Sequence, residues 1–134
     1  MERQRISSGA PWEPIVGYSR AVRVGPYVVV GGTAAADAQG NVIGPGAPYA
    51  QAVAIFRKIE AALREAGASV QDVVRTRIFL TNMDDWQEVG RAHAELLGGV
   101  RPVCTMVEVR RLIDPDMLVE IEVDAVISEV GEGL

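Results

Sequence analysis

Tyr49-Ala50-Gln51-Ala52-Val53-Ala54-Ile55-Phe56-Arg57-Lys58-Ile59-Glu60-Ala61-Ala62-Leu63-Arg64-Glu65-Ala66 is the stretch on which the fold turns. Ala52, Ile55, Phe56, Ile59, Ala62, Leu63 and Ala66 recur at three- and four-residue spacing, which predicts a helix with one buried face. Gly67 follows as a C-terminal stop. A β-branched run, Val73 to Leu80, comes soon after, so this helix has a strand beside it. Thr81-Asn82-Met83-Asp84-Asp85 then supplies a cap, and acids for the first turn, of a second helix reaching about Leu97. Its inward stripe reads as Trp86, Val89, Ala92 or His93, and Leu96, and Gly98-Gly99 ends it.

Working outward, residues 21–24 and 27–31 are Val-rich runs separated by Gly25-Pro26, which reads as a hairpin. Gly31-Gly32-Thr33 ends its second strand. Residues 37–48, with Gly40, Gly44 and Gly46, read as turns with a short strand at Val42-Ile43, and they lack the Gly-Lys-Ser/Thr ending of a phosphate loop. Residues 7–20 read as an ordered, irregular arm that packs Trp12 and Tyr18, since Pro11 and Pro14 exclude a regular helix. Downstream, residues 103–112 and 118–127 read as strands joined by Ile113-Asp114-Pro115-Asp116. Residues 128–134 read as a loose tail. The order strand, strand, helix, strand, helix, strand, strand gives an α+β chain whose two helices cover one face of a mixed sheet, with residues 1–134 as a single domain.

Side-chain alternation assigns the faces of that sheet. Val74, Thr76, Ile78 and Leu80, then Val103, Thr105, Val107 and Val109, then Val119, Ile121, Val123 and Ala125 are expected to face the helices. The opposite face then carries Arg75, Arg77 and Phe79, Cys104, Met106, Glu108 and Arg110, and Glu120, Glu122 and Asp124. Charges interleaved with Phe, Met and Cys suit a surface that meets another subunit. A solvated sheet face with a few apolar residues is the alternative.

At 134 residues with 49% apolar side chains, the chain buries about two thirds of its unfolded surface without disulfides or a structural metal. Thirteen basic and 18 acidic residues give a net charge of −5, which disfavours nucleic acid as a partner. Cys104 is the only cysteine, and a lone His93 disfavours a histidine-based metal site. The polar N-terminus has no apolar signal core and no aliphatic run is longer than a strand, so the expected setting is cytoplasmic, with no membrane partner.

Gly17-Tyr18-Ser19-Arg20-Ala21-Val22, Gly31-Gly32-Thr33, residues 61–69 and Asp72-Val73-Val74-Arg75-Thr76 resemble the Rid family, the reactive intermediate deaminases, also known as the YjgF or L-PSP endoribonuclease family. The most specific resemblance is Pro102-Val103-Cys104-Thr105-Met106-Val107-Glu108-Val109-Arg110-Arg111-Leu112 followed by Val119-Glu120-Ile121-Glu122. The resemblance implies a chorismate-mutase-like α+β fold, a homotrimer with a central barrel, and clefts between subunits. It implies hydrolysis of 2-enamine and 2-imine acids to 2-oxo acids and ammonia, with no metal or organic cofactor.

Carried onto this chain, the resemblance makes Glu120 the catalytic acid that positions or activates water, with an inter-subunit ion pair as its alternative. Tyr18 resembles the residue that closes the cleft, and Gly32 and Thr33 lie where the family's backbone lines it. The deaminating members place an Arg two residues after the signature Pro to hold the substrate carboxylate. Cys104 stands there in this chain, either as a small apolar filler or as a thiol whose pKa a neighbouring Arg lowers. Parity puts Arg77 on the face of Cys104, as a substitute for the missing Arg. The resulting expectation is a Rid-like protein acting on a small carbonyl, imine or enamine metabolite with an altered substrate. A non-catalytic ligand-binding or regulatory trimer is the alternative.

Overall fold

A computed structural model describes residues 2–128, so the tail expectation for residues 129–134 lies outside the described residues. The predicted helix is α2 (Pro48–Glu65), with Pro48 in its first turn where no backbone N–H is required. It buries Gln51, Ala52, Ile55, Phe56, Ile59, Ala62 and Leu63, the face its periodicity selects. The strands are β1 (Arg3–Ile6), β2 (Ala21–Val24), β3 (Tyr27–Ala34), β4 (Val73–Leu80), β5 (Val103–Glu108) and β6 (Val119–Val126). They form one sheet in the order β1-β2-β3-β6-β4-β5, antiparallel throughout except between β4 and β5. The other helices are α1 (Trp12–Val16) and α3 (Trp86–Leu97), and Asn82 caps a 3-10 turn, Met83–Asp85, leading into α3. This is the mixed α+β architecture expected.

Strand β6 lies at the centre and buries Val119, Ile121, Val123 and Ala125 while half-exposing the residues between. Those four side chains, together with Val28, Val30, Ile78 and Leu80, join the core beneath α2 and α3. Gln51, fully buried on α2, ties the helix to the loop before β6. Its Nε2 donates to Gly44 O and Asp116 O, and its Oε1 accepts from Leu118 N at 2.9 Å. Such a satisfied buried amide fixes how the helix sits on the sheet.

Four local expectations are overturned, and one strand, at Arg3–Ile6, was not anticipated. Residues 12–16 are helical despite Pro11 and Pro14, because both prolines lie at the helix start, where the missing N–H has no intrahelical partner to lose, and Gly17 ends the helix at φ 89°. Arg3–Ile6 forms an edge strand whose polar side chains give no alternation to read. Gly31-Gly32-Thr33 does not end β3: the strand runs on to Ala34 through a register shift between Val30 and Thr33. Trp86 is half-exposed and Leu97, not Leu96, is the fully buried residue at the end of α3, so the inward stripe is Val89, Ala92 and Leu97. Strand β5 stops at Glu108, four residues short.

The faces also change. Thr76 pairs with Cys104, Ile78 with Met106 and Leu80 with Glu108, which puts Cys104, Met106 and Glu108 on the helix side of the sheet. Val103, Thr105 and Val107 therefore share the opposite face with Arg75, Arg77 and Phe79. A register shift between Val73 and Arg75 turns Val73 inward and leaves Val74 exposed.

His93 on α3 lies within 2.9 Å of Thr76 Oγ1 and edge-on to Phe56, with ring centroids 5.8 Å apart. Burial pushes its imidazole below the ordinary value. Folding thus favours the neutral ring, a contribution fully present above the unfolded value of about 6.5 and lost as pH falls toward the depressed folded value. A His93→Gln protein is expected to lose less of its melting temperature than the native protein between pH 7 and pH 5, measured by circular dichroism. An equal loss in both would contradict this role.

Candidate functional site

The hairpin β2–β3 delivers Arg20 and Gly32 to one end of the sheet, and β6 brings Glu120 beside them through the pairing of Ala34 with Glu120. Together with Tyr18, Lys58 and Met117 they line a cavity of about 610 Å³, with Trp12, Ile43 and Ile113 among its apolar walls. That size suits a small metabolite.

Gly32 is what lets the Glu120 carboxylate lie against the backbone of β3. A methyl group at this position would overlap Glu120 Oε2 and stand 3.0 Å from its carboxyl carbon. The Glu120 carboxylate makes no hydrogen bond and no ion pair with the side chain or backbone of any other described residue. Burial pushes its pKa up, the nearby Arg20 guanidinium pulls it back, and Glu122 adds to the rise. A carboxylate so placed, raised and unpartnered, can take a proton from a water molecule and return it.

Opposite in character is Glu13 on α1. Burial alone would raise its pKa, but Ser8 N at 3.0 Å, Ser8 Oγ at 2.7 Å and Ala10 N at 3.3 Å donate to Oε2 and hold the carboxyl below its ordinary value. Glu13 anchors the arm that bounds the cavity. Lys58 reaches from α2 to donate to Ala34 O and Ala36 O, both at 3.0 Å. Burial pushes its pKa down and Arg20 lowers it further, against the attraction of Glu13 and Asp37.

Of the residues predicted from sequence, the structure brings together Glu120, Tyr18 and Gly32. Thr33 lies beneath the cavity wall, fully buried: its hydroxyl donates to Gly31 O at 2.8 Å and accepts from Arg20 Nη1 at 3.3 Å. Arg77 and Cys104 are elsewhere. Arg77 Nη1 is held by Glu122 at 3.2 Å and Asp124 at 3.3 Å, and it pairs in register with Thr105, so it does not share a face with exposed Cys104. The parity argument failed because it placed β5 by its valines, which on this edge strand point away from the helices.

Two cavity residues were missed. Arg20, 4% exposed, donates through Nη1 to Gly32 O and through Nε to Ser8 Oγ at 3.3 Å, with its guanidinium carbon 5.5 Å from the centroid of the Tyr18 ring. Lys58 is the sole lysine. The available signals were the place of Arg20 beside Tyr18 and the place of Lys58 next to the buried Ile59.

Among the described residues no group of three His, Cys, Asp or Glu side chains could hold a metal ion, and no helix is long and apolar enough to cross a membrane. Residues 8–127 match the family described as Endoribonuclease L-PSP. A RutC family protein of Pyrococcus abyssi is 34% identical over 122 residues, covering 91% of this chain and 95% of its own. The crystal structure of Rv2704 from Mycobacterium tuberculosis, a member of the YjgF/YER057c/UK114 family, superposes with a TM-score of 0.86 at 50% identity, covering 94% of this chain and all of that one. E. coli TdcF, crystallised with bound serine, superposes with a TM-score of 0.75 at 27% identity, covering 83% of this chain and 88% of that one. The chain therefore belongs to the endoribonuclease L-PSP family, the YjgF or Rid group, whose chorismate-mutase-like fold it shares.

Proposed function

We propose that the chain hydrolyses a small imine or enamine to a carbonyl compound and ammonia in the cavity beside Gly32, with Glu120 as the acid-base group. The observation that carries this reading is the unpartnered, partly desolvated Glu120 carboxylate pressed against Gly32 in a metabolite-sized cavity. Glu120 takes a proton from water as the water oxygen bonds to the imine carbon and returns that proton to the imine nitrogen, giving a neutral carbinolamine and the free carboxylate again. Proton transfer from the hydroxyl through Glu120 to the amine then lets the C–N bond break with its electron pair on nitrogen, releasing ammonia and the carbonyl product.

The working unit in this proposal is a homotrimer of single-domain chains. Tyr27, Val29, Val103 and Val107 are exposed on the sheet face that also carries Arg75, Arg77, Glu122 and Asp124, a composition that supports subunit contact. The second reading is a non-catalytic ligand-binding trimer, which is favoured by Cys104 standing where the deaminating members carry Arg.

The test is release of 2-oxo acid from freshly generated 2-imino acids by the native protein and by Cys104→Arg. Turnover by the native protein supports hydrolysis. Saturable binding of 2-oxo acids without turnover, with activity gained in Cys104→Arg, supports the second reading. Gly32→Ala probes the same site more locally. The obstacle to the new methyl is the flexible end of Glu120, so the variant folds but the carboxylate is displaced. A loss of about 10²-fold in kcat/KM is expected from such a misplacement, and undiminished kcat/KM would contradict it.

A further inference from the structure

Lys58 is the only lysine among 13 basic residues, so it carries the one side-chain amine of the chain. Arg stays charged at any working pH, whereas a buried lysine can lose its proton and become a nucleophile. The Lys58 Nζ reaches the end of β3 and donates to Ala34 O and Ala36 O, both at 3.0 Å. Lys58, Ala34 and Ala36 all line the cavity of about 610 Å³, and Lys58 also borders a second one of about 300 Å³ beside Ile6 and Ala61. An ammonium has three N–H donors and would leave one without a partner among the described residues. A neutral amine has two, and both are used here, so its lone pair is directed away from the carbonyls. Burial disfavours the charged form, and the Arg20 guanidinium does so too. Glu13 on α1 and Asp37 beyond β3 favour it without reversing that direction. Neither acid pairs directly with Lys58: Glu13 is held by Ser8 and Ala10, and Asp37 by Gln39 and Asn41.

We infer that Lys58 is a covalent capture site for a small aldehyde, condensing with it to an imine in the cavity wall. An amine that is desolvated and set beside a second cation is the arrangement that makes lysine nucleophilic near neutral pH. In the reaction the Nζ lone pair bonds to the aldehyde carbon while the π pair of the carbonyl moves to oxygen. Two proton transfers from nitrogen to oxygen then let the C–O bond break with its electron pair on oxygen, and water leaves carrying both amine protons. Water reopens the C=N bond that remains, so capture is reversible. The two backbone carbonyls flank the amine and leave one open side, which admits a carbon bearing a single substituent, an aldehyde rather than a ketone. Trp12, Val16, Ile43 and Met117 give the cavity apolar walls, which suit an alkyl chain on that carbon. The capture site goes beyond imine hydrolysis and does not rest on Glu120.

The experiment treats the full chain carrying Arg64→Lys with propanal and sodium cyanoborohydride, which traps the imine as a propyl amine, and maps the propyl groups by peptide mass spectrometry. Arg64 lies on the same helix with its side chain 73% exposed, so the substitution adds an ordinary amine as an internal reference. At pH 7 Lys58 is expected to be propylated at least about tenfold faster than the amine at position 64, the smallest advantage expected of an oriented amine with a larger neutral fraction. In urea the two amines should react at equal rates. At pH 10 the ratio in the folded protein should narrow, because the exposed amine then gains its own neutral form. Equal or slower propylation of Lys58 in the folded protein would overturn the capture site. So would an advantage that persists in urea, which would come from the local sequence and not from the cavity. A ratio unchanged at pH 10 would also overturn it, since access and not a free amine would then set the rate.

Discussion

Glu120→Gln is expected to lower imine hydrolysis by about 10²- to 10⁴-fold, the usual contribution of a positioned acid-base group, while leaving the protein folded. The amide keeps the shape of the carboxylate but cannot accept a proton from water. The same substitution is expected to raise the melting temperature at pH 8. Glu120 has a folded pKa above its unfolded one, chiefly through burial, so its favourable contribution to stability is present below the unfolded value and is lost as pH rises through the folded value. At pH 8 the native protein therefore holds a charged group that folding disfavours, and Gln removes it. Toward pH 4 the difference should shrink. Kinetics and melting curves on the two proteins check both halves. A slower enzyme that is also less stable at pH 8 would mean that Glu120 is a structural ion rather than a poised acid.

Leu63→Ala is expected to cost about 2–5 kcal/mol of stability, enough to lower the melting temperature by roughly 10 °C. Leu63 is fully buried on α2 within the core against the sheet, and it does not line the cavity. Below its new melting temperature the variant should retain kcat within about twofold, since distant independent sites act additively. Denaturant unfolding and steady-state rates decide this. A loss of activity in the folded variant would mean that α2 transmits its packing to the cavity, for instance through Lys58.

Periodicity made α2 readable, because one apolar face of a long helix leaves little choice of orientation. Strand β6 was equally clear, with Val119, Ile121, Val123 and Ala125 alternating against acids. The same reasoning inverted β5, because Val103, Cys104, Thr105 and Met106 give no polar-apolar contrast and an edge strand need not bury its branched residues. Only its parallel pairing with β4 fixes the register. Residues 12–16 were misread because proline excludes the helix interior and not its first turn. Within the cavity, Glu120, Tyr18 and Gly32 were legible through the family resemblance, while Arg20 and Lys58 were not: a cation's burial depends on carbonyls brought from distant segments, as Lys58 finds at Ala34 and Ala36.

The most direct measurement is a crystal structure of the protein with 2-oxobutanoate bound. The account predicts the ligand in the cavity beside Gly32, with its reacting carbon facing Glu120 within reach of one bridging water molecule. A ligand held on the Arg77, Glu122 and Asp124 face, with Glu120 out of reach, would contradict it.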